Sequence, residues 1–176
     1  MINKIFSQEE INVYNFSYRN DVVLQSMLAD FQEISWMERV NGFREGVIKT
    51  TNVKGLNLEN RHLVVSFVSM VKSYLQEKSK EFIFPLENVF LKLFPETSYT
   101  QQFTNPALVD TLCIIYVAND NHAESSLTFL NKDISIPLLK GNLIIFPSSE
   151  EYAFRAGNVL SGELIIGLSY LEFRRI

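Results

Sequence analysis

The sequence contains one cysteine, Cys113, and only two histidines, His62 and His122, in 176 residues. A single thiol excludes an intramolecular disulfide and every cysteine-based metal site, and it fits a reducing compartment. The two histidines stand far apart in the chain and in no H-x-x-x-H spacing, so a histidine-rich metal site is excluded as well. Positive charge is short. Sixteen Lys+Arg stand against 20 Asp+Glu, for a net charge of −4, and no Lys/Arg cluster restores the footprint of a nucleic-acid binder. No apolar run reaches the roughly 18 residues of a membrane span. The first ten residues lack the apolar core and small-residue cleavage site of a secretion signal. These absences predict a soluble, cytoplasmic protein with neither a nucleic-acid nor a membrane partner. The G-x-S-x-G elbow and the G-x-x-x-x-G-K-[ST] loop are missing, and the seven glycines form no dinucleotide fingerprint. Hydrolase, P-loop and dinucleotide-binding readings therefore lose support.

Apolar side chains, by contrast, are plentiful, at 47% with 12% aromatic, enough to bury about two thirds of the chain's surface in one core. A single domain over residues 1–176 is expected, helix-rich over 1–84 and β-rich over 85–176. Ser7, Gln8, Glu9 and Glu10 have the form of a capping box and predict a helix over 8–18. Val22, Val23, Met27, Leu28 and Phe31 share one helical face, with Trp36 and Met37 closing that helix against the core. Residues 41–58 mix glycine and asparagine with the β-branched piece at 47–51, the pattern of a short strand among turns. Leu63, Phe67, Met70, Val71, Tyr74 and Leu75 recur at three and four and predict a helix over 58–81. Strands are expected over 89–94, 111–117, 126–130, 133–137, 141–146 and 163–173, separated by turn residues. Helices followed by short strands read as α+β, a β-sandwich or jelly roll with N-terminal helices packed on one face.

Cys113 lies within the apolar run 112–117 and reads as a buried core thiol. His62 opens the 58–81 helix, where a solvated or capping role accounts for it. Asp120, His122 and Glu124 crowd one turn and read first as a solvated loop. As a metal set, together with Asp110, they would have to converge within about 2.0–2.4 Å of one ion. Phe82, Phe84, Phe90, Phe94, Tyr99 and Phe103 stand at strand spacing and read as core rather than as a platform for nucleic-acid bases.

From residue 134 to 149 the chain reads ISIPLLKGNLIIFPSS. Pro137 and Gly141 mark a turn before a buried strand that stops at Pro147. This stretch resembles the "i-P-x-x-G-x-l-i-i-F-P-s" segment of the 2-oxoglutarate/Fe(II)-dependent dioxygenases, the prolyl 4-hydroxylase-like branch in particular. Residues 112–120 are similar to that family's "l-s-x-l-x-Y-L-N-D" strand, with Tyr116, Asn119 and Asp120 in register. Residues 124–129 take the place of its "G-G-E-L-x-F", without the glycines. Residues 94–104 resemble "Y-x-P-G-x-x-Y-x-x-H-x-D" with one residue deleted, residues 146–157 and then 159–169 resemble the last strands, and residues 5–10 the "f-L-s-x-e-E" opening. The resemblance covers most of the chain, and residues 136–149 carry its specific part. It implies a double-stranded β-helix.

In that family two histidines and a carboxylate hold Fe(II), with positions left open for 2-oxoglutarate and oxygen. The resemblance carries the His-x-Asp pair onto Gln102 and Thr104. It carries the second histidine onto Phe154, or onto Tyr152 if the turn is one residue shorter, and the basic partner of 2-oxoglutarate onto Leu164. Phe and Leu offer neither lone pair nor charge, and Gln and Thr are weak neutral oxygen donors. No histidine follows His122 and none lies between His62 and His122, so a small shift of register restores nothing. No catalytic residue, metal ligand or cofactor is therefore expected. The expected function is a catalytically inactive prolyl 4-hydroxylase-like module that binds or builds structure, with a protein partner or self-association and room for a small ligand near Gln102, Tyr152 and Arg155. Arg155 matches the family's "R-G" arginine, and Tyr116 joins the candidate pocket. Two alternatives stand beside it: an active oxygenase or other metal enzyme with unconventional ligands, using 2-oxoglutarate and Fe(II), and a homo-oligomeric structural protein of the virion or assembly type.

Overall fold

The apolar run at 111–119 and the alternating runs around it assemble into two antiparallel sheets that share one core. The computed structural model describes residues 3–15, 37–40, 47–52, 74, 80–82, 89–94, 101–103, 111–120, 124–157, 159, 162 and 164–175. The strands are β1 (Asn3–Gln8), β2 (Ile11–Asn15), β3 (Met37–Val40), β4 (Val47–Asn52), β5 (Lys80–Phe82), β6 (Val89–Phe94), β7 (Gln101–Phe103), β8 (Thr111–Asn119), β9 (Ser126–Phe129), β10 (Ser135–Pro137), β11 (Asn142–Pro147), β12 (Phe154–Gly157) and β13 (Leu164–Arg175). The larger sheet runs β1-β2-β11-β8-β13-β6-β4-β3, with β5 also paired to β13, and the smaller runs β10-β9-β12-β7.

Strand β8 sits between β11 and β13, and its sequence has no polar alternation because both of its faces are covered. Cys113, Ile115 and Val117 enter the core cluster with Ile144, Phe146, Ile166 and Leu168 of the neighbouring strands. Leu112, Ile114 and Tyr116 are buried on the opposite face, as are their neighbours Leu143, Ile145 and Tyr14. Tyr74, which is helical, meets Tyr14 on that side edge to face, with ring centroids 6.1 Å apart. The small sheet alternates instead. Leu127, Phe129, Ile136, Phe154 and Ala156 point into the core, while Thr128, Ser135 and Arg155 are exposed. The core therefore lies between the two sheets, in a jelly-roll-like arrangement, and each large apolar side chain placed there contributes about 1.5–3 kcal/mol.

The turn predicted before residue 142 is present. Gly141 has φ 83°, a conformation open to glycine at little cost, and its N–H donates to the Val117 carbonyl at 2.9 Å. The expected strand at 89–94 is β6, and those at 111–117, 126–130, 133–137, 141–146 and 163–173 are β8, β9, β10, β11 and β13 with slightly different ends.

The helix expected over 8–18 is not formed in its described part. Residues 3–15 are a hairpin of β1 and β2, reversed at Glu9 (φ 47°) and Glu10 (φ 65°). Ser7 caps no helix, for its Oγ donates across the hairpin to Asn12 Oδ1 at 2.8 Å. The hairpin wins because β2 pairs with β11 and thereby places Ile11 and Val13 in the core. The helix expected around 22–31, and Trp36, lie outside the described residues; Met37 opens a strand rather than closing a helix. Of the helix expected over 58–81, Tyr74 is helical, but Lys80 and Glu81 belong to β5, where the long β13 supplies their backbone partners. The other residues of that segment lie outside the described ones. Among the described residues the half expected to be helix-rich contains five strands.

Candidate functional site

Four aromatic rings gather at one end of the core because the strand periods of β9, β11 and β12 all turn a ring inward there. Phe146, near the end of β11, packs edge to face on Phe129 of β9 at 4.9 Å and on Phe154 of β12 at 5.5 Å. Tyr152 lies in a single 3-10 turn, Glu150–Tyr152, and its ring stacks on Phe146 at 6.3 Å. Phe154 is fully buried. Of the two positions that the resemblance assigns to the second histidine, one is thus inside this aromatic cluster and the other covers it.

Leu164, at the 2-oxoglutarate partner's position, is also fully buried and belongs to the same apolar cluster. It opens β13, six residues before Tyr170, which is in register with Cys113 and through it with Phe146. At about 3.3 Å per residue that separation is about 20 Å along the strand. Leu164 thus lies at the end of β13 away from the residue in register with Phe146, and Leu164 and Phe154 are both buried in one core.

Of the other candidates among the described residues, Gln102 and Arg155 are brought together and the rest are not. Gln102 pairs in register with Arg155, and Phe103 with Phe154. Thr104 lies outside the described residues. Tyr116 is buried on the face of the large sheet opposite the core cluster, and burial raises its hydroxyl pKa well above the usual range. Asp120 Oδ2 accepts the Lys140 backbone N–H at 2.9 Å, Glu124 is exposed, and His122 and Asp110 lie outside the described residues. Among the described residues no three His, Cys, Asp or Glu side chains converge as metal ligands. Cys113 is buried, as its apolar run predicts, and that burial raises its thiol pKa.

One polar constellation escaped the sequence reading. Lys132, in the turn between β9 and β10, places its Nζ 2.6 Å from Glu151 Oε1 and 2.9 Å from Glu9 Oε2. The same Nζ stands 4.5 Å from the centroid of the Tyr152 ring. Hydrogen bonds to Glu151 and then to Glu9 raise the Lys132 pKa above its ordinary value. Burial raises the Tyr152 pKa, and its hydroxyl donates to the Glu9 carbonyl at 2.9 Å. No local pattern announces this cluster, since Glu9 and Lys132 are 123 residues apart.

No protein-family model matches this sequence, and no curated protein matches it. Solved structures do. A prolyl hydroxylase of Trichoplax adhaerens, solved with a hypoxia inducible factor peptide fragment, superposes with a TM-score of 0.66 at 12% identity, over 93% of this chain and 84% of that one. A prolyl-4-hydroxylase of Pseudomonas putida gives 0.62 at 14% identity, over 95% and 93%. A collagen prolyl hydroxylase of Paramecium Bursaria Chlorella virus-1, solved as a 2OG complex, gives 0.62 at 12% identity, over 96% and 97%. The chain has the fold of the prolyl 4-hydroxylase-like 2-oxoglutarate/Fe(II) oxygenases. The resemblance carried by residues 136–149 is thereby borne out at the level of the fold.

Proposed function

We propose that this chain is a prolyl 4-hydroxylase-like barrel that no longer works as an iron oxygenase and serves as a binding or structural module. The observation that carries the reading is the burial of Phe154 and Leu164, both fully enclosed in one apolar cluster. In the enzymes of this fold those two positions, matched by resemblance, hold a metal ligand and the partner of a carboxylate. A phenyl ring and an isobutyl group supply neither a lone pair nor a charge, so the residues present do not fit Fe(II) or 2-oxoglutarate, and no step is derived through either. The neighbouring rings favour filling over hydration, because a well-packed apolar site has no partners for a water molecule.

A cytoplasmic setting and a protein partner or a second copy of the chain belong to the same proposal, with nucleic acid and membrane outside it. No helix among the described residues is long and apolar enough to cross a membrane. The deciding experiment is thermal unfolding under anaerobic conditions with and without millimolar Mn(II) plus 2-oxoglutarate. A ligand that binds only the native state raises the midpoint, and no rise is expected. A rise that requires both additives overturns the proposal in favour of an oxygenase with unconventional ligands.

A further inference from the structure

Three turns that are distant in sequence meet over the aromatic end of the core. The β1–β2 turn contributes Glu9 and Glu10, both non-glycine residues with positive φ. Such residues persist in this conformation when their surroundings over-determine it. Here the surroundings are specific. Asn12 Nδ2 donates to the Glu10 carbonyl at 3.1 Å, the Tyr152 hydroxyl to the Glu9 carbonyl, and Lys132 to the Glu9 carboxylate. The β9–β10 turn supplies Lys132, and its neighbour Asn131 donates through Nδ2 to the Glu150 carbonyl at 3.0 Å. The 3-10 turn supplies Glu151 and Tyr152. The Lys132 side chain is only 8% exposed, while its two carboxylate partners are 53% and 64% exposed, so the cation sits beneath them against the Tyr152 ring.

We propose that the β1–β2 turn is a latch, keyed by Lys132, that closes the Phe154 end of the barrel. The physical chain is continuous: Glu9 holds Lys132 and Tyr152, Tyr152 packs on Phe146 and Phe129, and both of those rings pack on Phe154. Releasing the ammonium frees the Glu9 carboxylate and one side of the Tyr152 ring together, and the turn then loses contacts that hold its left-handed backbone. The backbone pairings of β8 with β11 and β13 are internal to the larger sheet, and none of them is made to the turn residues Glu9 and Glu10. The device is independent of whether the barrel ever binds iron.

Hydrogen–deuterium exchange on the full chain tests it. Lys132→Met keeps an apolar stem over Tyr152 and removes the charge. The expected result is exchange faster by about tenfold at amides of residues 7–13 and 150–154, with those of 112–117 unchanged. Binding of a dye for exposed apolar surface should rise in parallel, and Lys132→Arg should restore the wild-type pattern. Unchanged exchange, or an equal rise in both regions, overturns the proposal. If Lys132→Met does not fold, the double variant Glu9→Gln, Glu151→Gln gives the same two readings.

Discussion

The two sheets of this barrel solve the same problem with different sequences. In the larger one β8 is apolar at nearly every position and buried on both faces. In the smaller one β9 and β10 alternate, with Leu127, Phe129 and Ile136 inward and Thr128 and Ser135 outward, the two hydroxyls 3.2 Å apart on the solvent face. A strand covered on two sides has no position where a polar group is free of desolvation cost, whereas a strand covered on one side has such a position at every second residue. The comparison teaches that the pattern along a strand reports how many layers cover it. Among the described residues, β8 and β11 of the larger sheet are covered on both faces, and β9 and β10 of the smaller sheet on one.

The comparison can be sharpened by substitution, read as unfolding free energy in urea. Phe154→Ala should have the largest effect, about 3–5 kcal/mol, because it opens a cavity where the small sheet closes the core. Next come Ile114→Ala and Ile115→Ala. These neighbours face opposite sides of β8, yet each should cost about 2–5 kcal/mol. A near-neutral Ile114→Ala would mean that the second face of β8 is not tightly covered.

High pH gives an intermediate effect. Cys113, Tyr116 and Lys132 all have raised pKa values in the folded chain, so the native state holds protons that the unfolded state releases. Their contributions are complete below the unfolded-state values of about 8.5, 10 and 10.4 and are lost as pH climbs through the higher folded-state values. Stability should therefore fall from about pH 9 upward, and Lys132→Met should flatten the upper part of that fall. At neutral pH Lys132→Met itself should cost about 1 kcal/mol, since its carboxylate partners are largely solvated. Thr128→Ala, one residue from Leu127 but on the outer face, should change stability by no more than about 0.5 kcal/mol. A larger loss would mean that something covers the outer face of the small sheet.

The β1 edge bears on self-association. Among the described residues β1 ends the larger sheet, but its register slips between Lys4 and Phe6, and Ile5 has no register partner in β2. A bulge and a lysine are devices that discourage edge-to-edge pairing. A dimer built by extending this sheet through β1 is thus disfavoured, and a sedimentation mass of two chains that persists in an Ile5→Pro variant would place the contact on another surface.

Much of the barrel was legible. The runs that became β6, β8, β9, β10, β11 and β13 are short, apolar and bounded by turn residues, and Pro137 with Gly141 announced the turn into β11. The N-terminal hairpin was not legible. Its turn is Glu9-Glu10, which lacks the Asn or Gly expected of a two-residue reversal, and Ser7 with Glu10 imitates a helix cap. β12 could not be read from its own pattern, because Phe154, Arg155, Ala156 and Gly157 are too few to show a period, and only the resemblance over residues 146–157 pointed to a strand there. Of the candidate site, the sequence supplied residue types only: two histidines in the chain, and Gln102, Phe154 and Leu164 at the positions that the resemblance assigns.

What the sequence determined by itself is local and chemical. Strands with an apolar period, a glycine turn and a buried thiol all follow from residue type and spacing. What only the tertiary structure decided is which face each residue occupies and which distant groups meet. It placed Tyr116 on the far side of the large sheet, put position 102 in register with Arg155, and brought Lys132 to Glu9 across 123 residues. Those choices depend on the pairing of strands and the burial of both sheets at once, and no window of neighbouring residues contains that free energy.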